Sequence, residues 1–172
     1  RKHELQKVMI VTDAGIRKLG LTSFLEKTLA EEGIGYCIYD RTVANPTIWN
    51  VEEAKDLYLK EGAQALIAFG GGSSMDCAKA AGARIVKPRQ SIRQMKGLLK
   101  VHKKLPLLIA IPTTAGTGSE TTLAAVITDS EKHYKYPIND FSLIPRYAVL
   151  DYHETVGLPK SITATTGMDA LT

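Results

Sequence analysis

No apolar run in the 172 residues approaches the roughly 18 that a bilayer span requires, and the basic N-terminus lacks the apolar core of a secretory signal. The expectation is a cytoplasmic protein with no membrane partner. Cysteine is scarce. Cys37 and Cys77 each sit in apolar surroundings, without metal or redox spacing, and two cysteines build no disulfide framework. They read as buried thiols in a reducing compartment. Histidine is scarce too. His3, His102, His133 and His153 are scattered among polar residues with no His-x-x-x-His or His/Cys cluster, so none is assigned a metal and each is expected to be exposed. There is no Gly-x-Ser-x-Gly elbow, no paired-carboxylate signature and no internal repeat.

Acidic residues are missing from one long stretch. Between Cys77 and Ser119 stand nine basic residues (Lys79, Arg84, Lys87, Arg89, Arg93, Lys96, Lys100, Lys103 and Lys104) and no acid, in a chain whose net charge is +4. Such asymmetry raises nucleic acid as a partner. No aromatics interleave the charges, however, and Ile92, Met95, Leu98 and Leu99 recur at helical spacing. A solvated amphipathic helix is the expected reading, and nucleic acid is set aside.

Hydrophobic residues make up 44% and charged residues 23%, the balance of an ordinary globular domain. Apolar runs alternate with helix-length segments. Strands are expected at Val8–Val11, Tyr36–Tyr39, Ala65–Phe69 and Leu107–Ile111. Between them lie a helix from about Leu21 to Gly33, one capped by Asn50 and closed by Gly62, and one running from the Gly70-Gly71-Gly72 run through Ala81. Strands apolar throughout belong to a sheet covered on both faces, and their separation by helices implies right-handed crossovers. The expected fold class is α/β, a doubly wound Rossmann-like parallel sheet. Beyond Pro112 the rhythm changes: strands at Thr121–Thr128 and Arg146–Leu150 flank a small β-hairpin region around Lys132 to Tyr136. From Thr166, TTGMDALT reads as the first turns of a further helix, so the chain looks cut rather than finished.

Gly70-Gly71-Gly72-Ser73, after a strand and before a helix, lets backbone N–H groups approach a phosphate. It is neither a Walker loop nor Gly-x-Gly-x-x-Gly. A tight turn closed by a Ser73–Asp76 capping box is the competing reading, but a cap needs no three glycines. The run Thr113 to Thr122 offers hydroxyls and N–H groups beside a buried strand, with a Thr117–Glu120 cap as its alternative. Asp13 ends the first strand, where a carboxylate either caps a helix or accepts a ribose diol. In open α/β sheets ligands sit beyond the carboxyl ends of the strands, where all three loops lie. Together they point to a dinucleotide.

VTDAGIRKLGL, VANPT, GGGSSMDCAKA, IPTTAGTGSETT, AVITD and TGMDALT, in this order and spacing, resemble the iron-containing (group III) alcohol dehydrogenases. The resemblance covers essentially the whole chain and the N-terminal half of that family's subunit. It implies an NAD-binding α/β domain over residues 1–165 and, at 166–172, the start of the first helix of a metal-binding helical domain whose remainder is absent. It further implies that Asp13 binds the adenosine ribose and selects NAD over NADP, and that Asn45 lies beside the nicotinamide-side phosphate or ribose. By the same resemblance Gly71, Gly72, Ser73 and Asp76 form the pyrophosphate loop. Thr113, Thr114, Thr117 and Thr122 form the hydroxyl-rich cofactor loop, Lys135 reaches the cofactor ribose, and Asp169 is the first metal ligand. Ser74 departs from the family, standing where proline is common. The implied activity is hydride transfer between a small alcohol or aldehyde and NAD, with Fe²⁺ or Zn²⁺ as Lewis acid, in a homo-oligomer. No catalytic side chain is assigned. An inactive NAD-binding module, and a glycerol dehydrogenase-like or dehydroquinate synthase-like relative, are the alternatives.

Overall fold

Val8 to Val11 are all buried, yet their side chains point alternately to two faces. In the computed structural model, which describes residues 4–171, those two faces carry separate apolar layers. Val8 and Ile10 of β1 (Lys7–Val11) share one layer with Ala65, Ile67 and Phe69 of β3 (Ala65–Gly70). Met9 and Val11 share the other with Leu66 and Ala68. Helices α1 (Ala14–Lys18) and α2 (Ser23–Glu31) cover the first layer through Ile16 and Leu29. Helices α3 (Ile48–Glu61) and α4 (Gly72–Val86) cover the second through Val51, Ala54, Met75 and Ala78. A two-faced apolar strand is thus satisfied by a three-layer sandwich.

β2 (Gly35–Tyr39), β4 (Gly97–Leu98) and β5 (Leu107–Pro112) follow, then β6 (Ala124–Asp129), β7 (Tyr134–Asn139) and β8 (Tyr147–Ala148). The main sheet has the order β2-β1-β3-β5-β8, and every pair in it is parallel. This is the doubly wound arrangement the sequence predicts. Winding reverses between β1 and β3, which opens a crevice beyond their carboxyl ends. β6 and β7 form the expected hairpin, antiparallel from Ala124↔Asn139 to Asp129↔Tyr134, and β4 adds in parallel to β7.

Three local expectations are corrected. The basic stretch forms no amphipathic helix: it holds one 3₁₀ turn, Ile92–Met95, then β4. Ile92 and Met95 are buried, but Leu98 and Leu99 are exposed. Gly97 and Leu99 both take left-handed backbone, which ends any helix there. Arg93 is held against the hairpin by Asp129 and Glu131, which fixes the segment to that hairpin. Helix α3 is capped by Thr47, not Asn50. The two residues form a reciprocal capping box in which Asn50 N–H donates to Thr47 Oγ1 and Thr47 N–H to Asn50 Oδ1; Gly62 closes the helix in αL as expected. After α5 (His153–Val156), α6 spans Lys160–Leu171, beginning six residues before Thr166. The threonines Thr165 and Thr166 turn their hydroxyls back onto the carbonyls of Ser161 and Ile162, which keeps them compatible with a helix interior.

Cys77 is buried and Cys37 half-buried, both against the second layer. His102, His133 and His153 are exposed, while His3 lies outside the described residues. Among the described residues no helix is long and apolar enough to cross a membrane.

Candidate functional site

A cleft of about 560 Å³ opens beyond the carboxyl ends of β1 and β3. Asp13, Gly71, Gly72, Ser73, Thr113, Thr114 and Thr117 line it, together with Thr42 to Ala44 and, from α6, Ile162 and Thr166. Seven of the residues singled out in the sequence therefore converge on one space.

Each loop is shaped by its sequence. Asp13 caps α1, its Oδ1 accepting from Ile16 N–H at 2.9 Å. A carboxylate has about four acceptor positions, so the cap and a ligand diol are compatible. Gly70 has φ +149°, and a Cβ on it would lie 2.6 Å from Ser74 Oγ. Gly71 is the N-cap of α4 and no side chain caps the helix, so the Ser73–Asp76 box does not form. The first N–H groups of α4 thus stand at the cleft without a side-chain acceptor.

Opposite this loop runs the threonine loop. A Cβ on Gly72 would approach Thr117 Cγ2 to 3.3 Å, and one on Gly71 would approach Thr114 Oγ1 to 3.4 Å. Thr114 Oγ1 is itself buried with no hydrogen-bond partner. A buried hydroxyl left without a partner carries a desolvation cost that a ligand group would remove. The absent side chains and the unpartnered hydroxyl together suit an elongated polar ligand such as a dinucleotide. Further along, a Cβ on Gly116 would overlap the carbonyl oxygen of Thr166, so only glycine lets this loop pass beneath α6.

Asn45 stands at the rim, with φ +56°. Its N–H donates to Ser73 Oγ at 3.2 Å and its carbonyl accepts from Thr128 Oγ1 at 3.1 Å, tying the glycine loop to the hairpin. Lys135, across the β6–β7 pair from Thr128, is exposed and is not among the lining residues.

Asp76 and Thr122 do not line the cleft. Asp76 Oδ1 accepts from Ser119 Oγ and its Oδ2 from Val126 N–H, both at 3.0 Å, and burial pushes its carboxyl above the usual range. Thr122 accepts from Lys79 through both its carbonyl and its hydroxyl. The Thr117–Glu120 pair caps no helix. Lys79, one of the nine basic residues counted in the sequence between Cys77 and Ser119, is fully buried. The signal was present: Lys79 falls in the small apolar run Cys77-Ala78-Lys79-Ala80-Ala81, one turn beyond Asp76.

Asp169 is exposed on α6. Among the described residues no three His, Cys, Asp or Glu side chains gather where they would hold a metal ion. These residues alone therefore do not fit a metal centre, which takes three or more protein ligands.

A family model for iron-containing alcohol dehydrogenases matches residues 1–152. The chain is 40% identical over 166 residues to the NAD-dependent methanol dehydrogenase of Bacillus methanolicus, covering 96% of this chain and 43% of that one. The alcohol dehydrogenase of Oenococcus oeni superposes with a TM-score of 0.92 at 38% identity, over 98% of this chain and 44% of the other. A sulfoacetaldehyde reductase of Bifidobacterium kashiwanohense, solved in complex with NAD⁺, superposes at 0.85 with 32% identity over 98% and 44%. The chain spans less than half the length of these relatives. On this match of sequence and fold, the chain belongs to the iron-containing alcohol dehydrogenase family.

Proposed function

We propose that this chain is the NAD(H)-binding part of a metal-dependent alcohol dehydrogenase. The observation that carries the reading is the cradle between Gly71-Gly72 and Thr114–Thr117, with its unpartnered Thr114 hydroxyl. NAD in that cleft supplies a hydride acceptor for the carbinol carbon of an alcohol. The N–H groups at the start of α4 hold the pyrophosphate, helped by the helix dipole. Asp13 accepts the adenosine ribose hydroxyls and repels a 2′-phosphate, which selects NAD over NADP. Asn45 braces the glycine loop through Ser73, and Thr113, Thr114 and Thr117 supply hydroxyls towards the nicotinamide half. Lys135, on the hairpin that Asn45 ties to this loop, approaches the ribose once the cofactor is seated.

In the same reading Asp169 is one ligand of an Fe²⁺ or Zn²⁺ ion whose other ligands come from outside the described residues. No catalytic step is derived through that ion from these residues. The absence of a ligand cluster among them favours a second statement: the 172-residue chain binds NAD but does not oxidise alcohols. Self-association belongs to the proposal as well. Leu150, Tyr152 and Val156 are each at least 70% exposed, an apolar surface that a second copy would cover. Fluorescence titration of the purified chain with NADH, and in parallel with NADPH, tests the cofactor reading. Saturable binding that is tighter for NADH supports it, and no binding of either refutes it.

A further inference from the structure

The basic stretch between Cys77 and Ser119 has no part in the cofactor reading. Four of its nine cations are answered by the protein. Lys79 meets loop carbonyls, Arg84 pairs with Glu52, Arg93 with Asp129 and Glu131, and Lys96 lies over the Tyr134 ring. Three others, Lys87, Arg89 and Lys103, line one pocket of about 570 Å³ on which no acidic residue borders. Among the described residues neither the Lys87 ammonium nor the Arg89 guanidinium has a hydrogen-bond or ion-pair partner. Lys103 Nζ donates to a backbone carbonyl, that of Val86, at 3.0 Å, so its charge meets no carboxylate either.

A concave site lined by cations of one sign concentrates anions. Its donors are in place. Ser91 N–H donates to Gln94 Oε1 at 2.8 Å, which leaves the Gln94 amide nitrogen as a donor at the same pocket. The carbonyls at the end of α4 would repel an anion, but they are covered. Lys103 takes that of Val86, and Arg84 takes those of Lys87 and Gln90 at 2.9 and 2.8 Å. A guanidinium beside two ammonium groups suits phosphate oxygens. Val86 and Pro88 add an apolar wall, and the volume is that of a small-molecule site. We infer that this pocket binds a small organic phosphate. No aromatic ring lines it on which bases could stack, which argues against a nucleic-acid strand. The 15 residues of α4, about 22 Å of helix, separate it from the glycine loop, so the inference does not rest on the cofactor reading.

The test titrates the chain with inorganic pyrophosphate and with glycerol 3-phosphate at fixed ionic strength, followed on backbone amide resonances. Saturable shifts at Lys87, Arg89, Gln94 and Lys103 are expected with both, and none with glycerol. Replacing both unpartnered cations, Lys87→Gln with Arg89→Gln, should weaken binding of either probe by at least roughly ten-fold. Neither side chain has a protein partner to lose, so the melting temperature should hold. Shifts no larger than those from sodium chloride overturn the inference, as does unchanged affinity in the double variant. Pyrophosphate shifts confined to Gly71–Ser73 place the anion in the cofactor cleft and overturn it too. So does a short single-stranded oligonucleotide that binds more tightly than either probe at the same salt, with shifts spreading to Lys100 and Lys104, since that footprint belongs to a nucleic-acid surface.

Discussion

Gly72 and Thr117 face each other across the cleft: a Cβ on Gly72 would sit 3.3 Å from Thr117 Cγ2. Tighter than ordinary van der Waals contact, that distance leaves no room for both a side chain and a ligand. Gly72→Val therefore should lower NADH affinity by at least roughly ten-fold, equivalent to about 1.4 kcal/mol. Because φ at Gly72 is not in the left-handed region, the domain should stay folded. Circular dichroism and NADH titration of the same sample check both halves, and a folded variant with normal affinity would reduce the loop to a structural turn.

Asp13 holds two roles that one substitution separates. As N-cap it stabilises α1, and replacement by alanine would cost about 1 kcal/mol, whereas glycine costs only a few tenths. Asp13→Gly thus removes the carboxylate with little loss of the cap. The NADH preference over NADPH should narrow or reverse, measured as the ratio of the two dissociation constants. An unchanged ratio would take Asp13 out of cofactor selection.

Acid should loosen the hairpin through one ion pair. Asp129 is buried and accepts from Arg93, whose hydrogen bonds hold its carboxyl down to about 2, below its ordinary 3.8. A depressed carboxylate contributes stability that is fully present above its unfolded value and is lost as pH falls through the folded one. Wild-type melting temperature should accordingly fall between pH 4 and pH 2. Arg93→Leu should be less stable at pH 7 and show a shallower drop over that window. Parallel curves for the two proteins would contradict this assignment.

With excess Fe²⁺ or Zn²⁺, NAD and a panel of primary alcohols and diols, the 172-residue chain should show no turnover. Only Asp169 among the assigned residues is a metal-ligand candidate, and a lone carboxylate fixes neither ligand number nor geometry. Robust turnover, from material whose mass confirms that it ends at Thr172, would place the metal site elsewhere.

The strands were legible because parallel strands buried on both faces read as unbroken apolar runs, and Ala65–Phe69 needed no partner information to recognise. The glycine and threonine loops were legible because few compositions other than phosphate or cap chemistry explain them. What the sequence hid was tertiary. Ile92, Met95, Leu98 and Leu99 have helical spacing, but Arg93 is drawn to the distant Asp129, and that pair overrides local periodicity. Asp76 and Lys79 sat within motif and charge counts that say nothing of direction. Only packing turns them from the cleft and the solvent towards the threonine loop. Helix α6 starts before Thr166 because hydroxyls that usually compete with a helix bond back onto it here.

The central claim is that the cleft between the glycine and threonine loops holds the dinucleotide. It is tested most directly by mapping NADH-induced shifts on the assigned backbone spectrum of the chain. Shifts concentrated at Asp13, Gly71, Gly72, Thr114 and Thr117, saturating together and displaced by ADP-ribose, are the predicted result. Saturable NADH binding that leaves those residues unmoved would contradict it.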